Sequence, residues 1–208
     1  ITKKTKAIVP VHWAGKTCEM KKIKAISKKY KIPIVEDSCH AILGVYKKKF
    51  AGTFGEFGCF SMHPLKNLNI WGDGGFVICS KPNLYKKMKL LRNHGLVNRD
   101  KNIIFGYNSR LDTLQAAVAI EAIKKLKNIT KKRISNSKFL DKIFLKHADI
   151  IVPKRDKDIK EVFHLYHLGF RNKKMRDKIQ KKLIQKKIDA KIHYPTSMHL
   201  QPAAKTYG

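Results

Sequence analysis

Apolar residues recur along this chain with two distinct spacings. Within residues 19–31, Met20, Ile23, Ile26 and Tyr30 follow one another at helical intervals against lysines on the opposite side, which predicts an amphipathic helix. The flanking stretches, AIVPVHW at 7–13 and IPIV at 32–35, are continuous apolar runs and read as strands, so the unit is strand, helix, strand and should be parallel and right-handed. Two further apolar runs, at 58–60 and 76–79, are separated by a polar turn with Pro64, a single lysine and a Gly-Asp-Gly-Gly turn. Residues 46–52 read as a surface hairpin tip. Residues 82–94 predict a helix with Leu84, Met88 and Leu91 apolar and Gly95 as its stop. Residues 103–108 should be extended. Residues 111–126 predict a long helix that buries Leu114, Ala117, Val118 and Ile123, with alanines at 116, 117, 119 and 122 permitting close approach of another helix. At 131–137 the pattern turns polar and basic, which reads as a hinge. Beyond it a helix finishes at 139–145, strands are expected at 150–153, 163–170 and 190–194, and a basic amphipathic helix at 175–188. The expected fold is α/β, with a mostly parallel sheet in residues 1–135 followed by a small α+β domain in 136–208.

Length and charge narrow the function classes. The 208 residues suffice for a sizeable core. A net charge of +31 gives any surface some affinity for phosphate backbones. The basic residues are 39 Lys against 7 Arg, spread along the whole chain, whereas base and phosphate readers favour the bidentate fork of Arg. With no zinc-finger spacing, RNA-binding aromatic motif or basic-region heptad, nucleic acid is not the expected partner, and the lysines read as a solvated surface. Cys18, Cys39, Cys59 and Cys79 lie about twenty residues apart without a C-x-x-C pair. They read as small buried residues of a reducing, cytoplasmic protein. No run of eighteen apolar residues is present, so no membrane span is expected.

The candidate chemistry centres on residues 55–80. Lys66 is isolated, with apolar, amide or proline neighbours, while other lysines come in runs such as Lys47-Lys48-Lys49. Burial disfavours an ammonium, and a neutral amine is what a Schiff-base nucleophile needs. Upstream, the strand at 32–35 runs into Glu36-Asp37 and then Ser38-Cys39-His40. Ligands of open α/β sheets sit beyond the carboxyl ends of strands, which would place Asp37 and His40 on one rim with Ser61 and Lys66. Each residue also has a plain structural role open to it. Asp37 suits a helix N-cap or a turn, Ser61 a turn, Asn108 a helix cap, and His40 a satisfied core histidine.

The order of these residues, together with the blocks VPVHWAG, VEDSCHAILGVYKKK, GCFSMHPLKNLNIWGDGG, LRNHG, GYNSRLDTLQAA, HLYHLGF and KIHYPTSMHLQPA, resembles the DegT/DnrJ/EryC1/StrS family of pyridoxal-phosphate sugar aminotransferases across essentially the whole chain. The resemblance implies a fold-type-I transferase, with a cofactor-binding large domain at 1–135 and a small C-terminal domain at 136–208. It also implies an internal fragment, because the family's N-terminal phosphate turn and ring-stacking residue have no counterpart here. In that reading Lys66 tethers pyridoxal 5′-phosphate and is the catalytic base, and Asp37 keeps the ring nitrogen protonated. Ser61 binds the phosphate, His40 lies near the ring face or its phenolic oxygen, and Asn108 reaches a neighbouring subunit's phosphate. His63, His193, Tyr194 and His199 are weaker candidates on the substrate side. The implied partners are a nucleotide-sugar substrate, glutamate or glutamine as amino donor, and a second copy in a homodimer. The sugar dehydratase branch replaces the lysine, and Lys66 argues against it. The alternative is a catalytically silent or regulatory relative that binds a polyanion.

Overall fold

The computed structural model describes residues 1–207. The chain divides into two compact units, Ile1–Ile143 with Lys154–His167, and Phe144–Pro153 with the chain from Leu168 onward.

In the first unit, residues 8–11 run parallel to β1 (Val35–Asp37), with Ile8 N–H donating to Pro33 O at 2.9 Å and Asp37 N–H to Pro10 O at 3.0 Å. The crossover is α1 (Met20–Tyr30), close to the span predicted from its periodicity. Met20 is fully buried and packs with Ile34 and Tyr46, joined by the partly buried Ile23, so the first half of the apolar stripe anchors the helix, while Ile26 and Tyr30 at its far end are exposed with the lysines. The expected hairpin tip is β2 (Val45–Tyr46) and β3 (Lys49–Phe50). Lys47 and Lys48 between them have φ of 47° and 67°, the two left-handed positions that a tight two-residue hairpin turn requires. β1 pairs in parallel with β4 (Phe57–Ser61), and β4 pairs antiparallel with β5 (Gly75–Ile78). The result is a mostly parallel sheet with one antiparallel edge.

α2 (Pro82–Leu91) begins on Pro82, whose missing N–H costs nothing at a helix start. It ends three residues earlier than predicted, because His94 and Gly95 both turn left-handed, at φ 56° and 75°, and Gly95 N–H reaches back to Leu90 O at 2.7 Å. A Cβ on Gly95 would also strike Ile104 O.

α3 (Thr113–Phe144) corrects two expectations. The polar stretch at 131–137 continues the helix, which is 32 residues long. The face it buries is also different. Ala119, Leu126, Thr130 and Ser137 are buried, while Leu114 and Ile123 are exposed along with Ala117; of the predicted set only Val118 reaches the core, partly buried against Met62, Leu68 and Ile70. Polar residues can hold the buried stripe because Thr130 Oγ1 donates to Leu126 O and Ser137 Oγ to Ile134 O, both at 2.9 Å, so each hydroxyl is satisfied inside its own helix.

Three short strands remain, β6 (Ile150–Ile151), β7 (Ile159–Lys160) and β8 (Gly169–Phe170). β7 adds antiparallel to β2 in the first unit, and β6 pairs with β8 in the second. The strand expected over 163–170 is therefore confined to its last two residues, since the stretch before them packs irregularly within the first unit. α4 (Lys173–Gln185) opens on Asn172, whose Oδ1 accepts the Met175 N–H at 2.9 Å. Residues 190–194, expected as a strand, have no ladder partner among the described residues.

Candidate active site

Side chains along a strand alternate between faces, and β1 and β4 use the alternation to separate two kinds of chemistry. In parallel register Val35 lies beside Phe57 and Asp37 beside Cys59. Val35, Asp37, Phe57, Cys59 and Ser61 occupy a partly open face, whereas Glu36, Gly58 and Phe60 are buried on the other. Of the two adjacent carboxylates, Glu36 is committed to structure. Its Oε2 accepts from His12 Nε2 at 2.9 Å and Gly52 N–H at 2.8 Å, and its Oε1 accepts from the Phe54 and Gly55 N–H groups. Burial alone would raise its pKa, but these hydrogen bonds outweigh it and hold the carboxyl below its ordinary range. Burial opposes charge on His12, while its contacts with Cys18 and Glu36 pull the other way. The geometry decides for the neutral ring, since His12 Nδ1 accepts the Cys18 N–H at 3.1 Å and has no room for a second proton.

Asp37, at the end of β1, is the available carboxylate. Its Oδ1 accepts the Cys39 N–H at 3.1 Å, which forms the turn after the strand and leaves Oδ2 for a donor on the open face. Burial first, then the hydrogen bond and negative charge of Asp37, push the Cys39 thiol up to about 12, with the Lys66 ammonium pulling the other way. Cys59 is raised too, by burial and then by Asp37. Both thiols therefore stay protonated and do not compete as nucleophiles with a lysine amine.

Ser61 ends β4 on the same face as Asp37, two residues beyond its register partner Cys59. Its Oγ accepts the His63 N–H at 3.2 Å, and its own proton remains to be donated. The loop that follows is pinned by Met62, Leu68 and Ile70, which pack against Ala119 and Leu126 of α3. Within it Lys66 N–H donates to His63 O at 2.8 Å and Asn69 Nδ2 donates to Lys66 O at 3.0 Å. Lys66 is half-buried.

His40 sits three residues past Asp37, its Nδ1 accepting the Ala14 N–H at 3.2 Å and its ring 4.2 Å from that of His164. The fold thus gathers Asp37, His40, Ser61 and Lys66 at one end of the sheet. Asn108 stands elsewhere, on an exposed segment bridged to Asn93, with its Oδ1 accepting from Arg110 Nε at 3.1 Å. Of the weaker candidates, His63 Nδ1 accepts the Leu65 N–H at 3.1 Å, and His193, Tyr194 and His199 are exposed residues of the second unit. Sequence reasoning missed the His12–Glu36 pair, Asn67, which donates to Val162 O, and Gln115, whose Nε2 donates to Trp71 O and Asp73 O and so clamps the glycine turn.

The residues fit a pyridoxal cofactor on the chemistry of the donor set. The strand face offers an unspent carboxylate oxygen for a ring nitrogen and a hydroxyl proton for a phosphate, and half-buried Lys66 on the loop that follows carries an amine for an aldehyde.

A mostly parallel sheet with a polar cluster beyond its strand ends is shared by many α/β proteins, and the solved structures that this one resembles include aminotransferases. The model of the DegT/DnrJ/EryC1/StrS aminotransferase family matches residues 1–208, and the chain belongs to that family. DesV of S. venezuelae, solved in complex with a ketimine intermediate, superimposes with a TM-score of 0.93 at 31% identity over 99% of this chain and 55% of DesV. A UDP-N-acetyl-3-dehydro-alpha-D-glucosamine 3-aminotransferase of Acidithiobacillus ferrooxidans is 33% identical over 97% of this chain and 53% of its own length. A pleiotropic regulatory protein of Geobacillus stearothermophilus is 32% identical over 100% of this chain and 56% of its length. A further matched structure holds bound PMP. The chain spans about half the length of the curated relatives it matches. No helix among the described residues is long and apolar enough to cross a membrane.

Proposed function

We propose that the protein carrying this chain is a pyridoxal-phosphate-dependent aminotransferase that moves an amino group from glutamate or glutamine to a keto sugar of a nucleotide sugar. The observation that carries the reading is the shared open face of β1 and β4, with Asp37, Ser61 and the Lys66 loop at one sheet end. The first compact unit would correspond to the cofactor-binding domain expected at 1–135, and the second to the small domain expected at 136–208.

When bound, pyridoxal phosphate supplies an electron sink for the carbon that gains or loses the amino group. Asp37 would hold the ring nitrogen in its protonated form, because an ionised carboxylate alongside favours the charged ring. Ser61 would donate to the phosphate and His40 would border the ring. Lys66 would hold the cofactor through its amine and, once released, move a proton at the amino-bearing carbon. Asn108 would serve a second copy in a homodimer, and the exposed apolar residues around it support a protein partner on that surface.

Borohydride reduction of the intact protein with pyridoxal phosphate, followed by peptide mapping, tests the reading. Reduced cofactor on Lys66 alone is the expected result, and cofactor on another lysine, or on none, overturns it.

A second reading is a catalytically silent relative that binds a polyanion, favoured by the +31 charge and by the name of the G. stearothermophilus relative. Retention on heparin that falls steeply with salt, in a protein that traps no cofactor, would favour it.

A further inference from the structure

Lys66 sits on a loop whose neighbouring residue is tied to a distant part of the chain. Asn67 is only 4% exposed, and its Nδ2 donates to Val162 O at 3.0 Å across 95 residues of sequence. The partner is a carbonyl, which only accepts, so the amide must present its nitrogen there.

The segment that supplies this carbonyl is itself held from several sides. Val162 is fully buried, and its N–H donates to Gly15 O at 3.0 Å, while Leu165 N–H donates to Ala14 O at 3.2 Å. Gly15 has φ of +100°, and a Cβ there would stand 2.8 Å from Phe163 N and 2.9 Å from His164 N. Arg133 of α3 donates through Nη1 to Phe163 O at 3.0 Å and His164 O at 3.3 Å. Ala14, which accepts from this segment, in turn donates its N–H to His40, and His164 lies against the His40 ring. One strap, residues 162–165, therefore touches the lysine loop on one side and the His40 turn on the other.

We propose that Asn67 is a positioning residue for Lys66, and that it acts by fixing the lysine loop to the 162–165 strap that also seats His40. The proposal rests on the reading of Lys66 as the cofactor tether. Asn67 touches neither substrate nor cofactor in it. Its amide sets where the loop lies, and the strap gives the loop and His40 a common reference. Loosening the strap at either attachment should then disturb the same quantity.

Asn67→Asp is the sharpest test in the intact protein, since it keeps shape and puts an oxygen against the Val162 carbonyl. In the cofactor-free protein, hydrogen exchange in the 63–70 peptide should accelerate several-fold while α1 is unchanged, because opening is local. With pyridoxal phosphate bound, the pH midpoint of its visible absorbance change should shift by about one unit, and kcat should fall about tenfold or more with little change in KM. Arg133→Met, which frees the strap from α3, should produce the same kind of absorbance shift, and the double variant should be less than additive. Additive effects, or unchanged exchange at 63–70 in Asn67→Asp, would overturn the proposal. If cofactor maps away from Lys66 in the unaltered protein, the tether reading fails, whereas the exchange measurement on cofactor-free protein still reports the strap.

Discussion

His12 and Glu36 meet at 2.9 Å with neither side chain exposed to solvent. The carboxylate closes a ring of contacts that joins the residue 8–12 segment, β1 and the loop at 52–55, immediately before Asp37. Hydrogen bonds to a buried charge contribute about 1.5–3 kcal/mol each, so Glu36→Gln, which removes the charge and points an N–H at a donor, should destabilise the protein by about 3 kcal/mol. The folded pKa of Glu36 lies below the ordinary glutamate value of about 4.5, so its contribution is fully present above that pH and is lost as pH falls through the lower folded value. Urea unfolding should show the difference between the two proteins shrinking below about pH 4.5. A constant difference down to the acid limit would show that Glu36 carries no native-state charge.

Asp37 should respond in the opposite way, since its stabilising role is slight and its proposed chemical role large. Asparagine keeps an Oδ1 to accept the Cys39 N–H, so Asp37→Asn should leave stability within about 0.5 kcal/mol. Removing the charge opposite the cofactor's ring nitrogen should cost roughly 10²–10³ in kcat. Steady-state kinetics beside thermal unfolding separates the two effects, and an Asp37→Asn protein with normal kcat would place the ring-nitrogen partner elsewhere.

What was legible in the sequence follows from range. The strand–helix–strand start is local periodicity, and α1 lies where Met20, Ile23, Ile26 and Tyr30 put it. That Asp37 and Ser61 end neighbouring strands, with the Lys66 loop next in the chain, was legible because it follows from strand order alone. The buried face of α3 was not, since Thr130 and Ser137 count as polar in any pattern while their hydroxyls bond to carbonyls of their own helix. The His12–Glu36 and Asn67–Val162 contacts span 24 and 95 residues, and no local spacing encodes either one. Their only local trace was that a histidine, a glutamate and an asparagine stood within otherwise apolar or turn segments.

The last prediction concerns Asn108, which the fold sets apart from the other four candidates. The residues around it are unusually open for their chemistry: Phe105 is 99% exposed, Tyr107 73% and Leu114 67%. Large aromatic side chains left in water on one stretch are apolar area that a partner would remove from solvent by covering it. If that partner is a second copy, Asn108 would reach the neighbour's phosphate, and each site would draw its lysine and its asparagine from different chains. Mixing intact protein bearing Lys66→Ala with protein bearing Asn108→Ala should then create hybrid dimers with one site that has both residues, and restore up to about a quarter of the unaltered activity at equal mixing, by random pairing. Neither parent alone should show it, and Phe105→Glu should abolish the recovery by preventing association. A mixture no more active than the sum of its parents, in a sample shown by light scattering to be dimeric, would place Asn108 outside the partner's site.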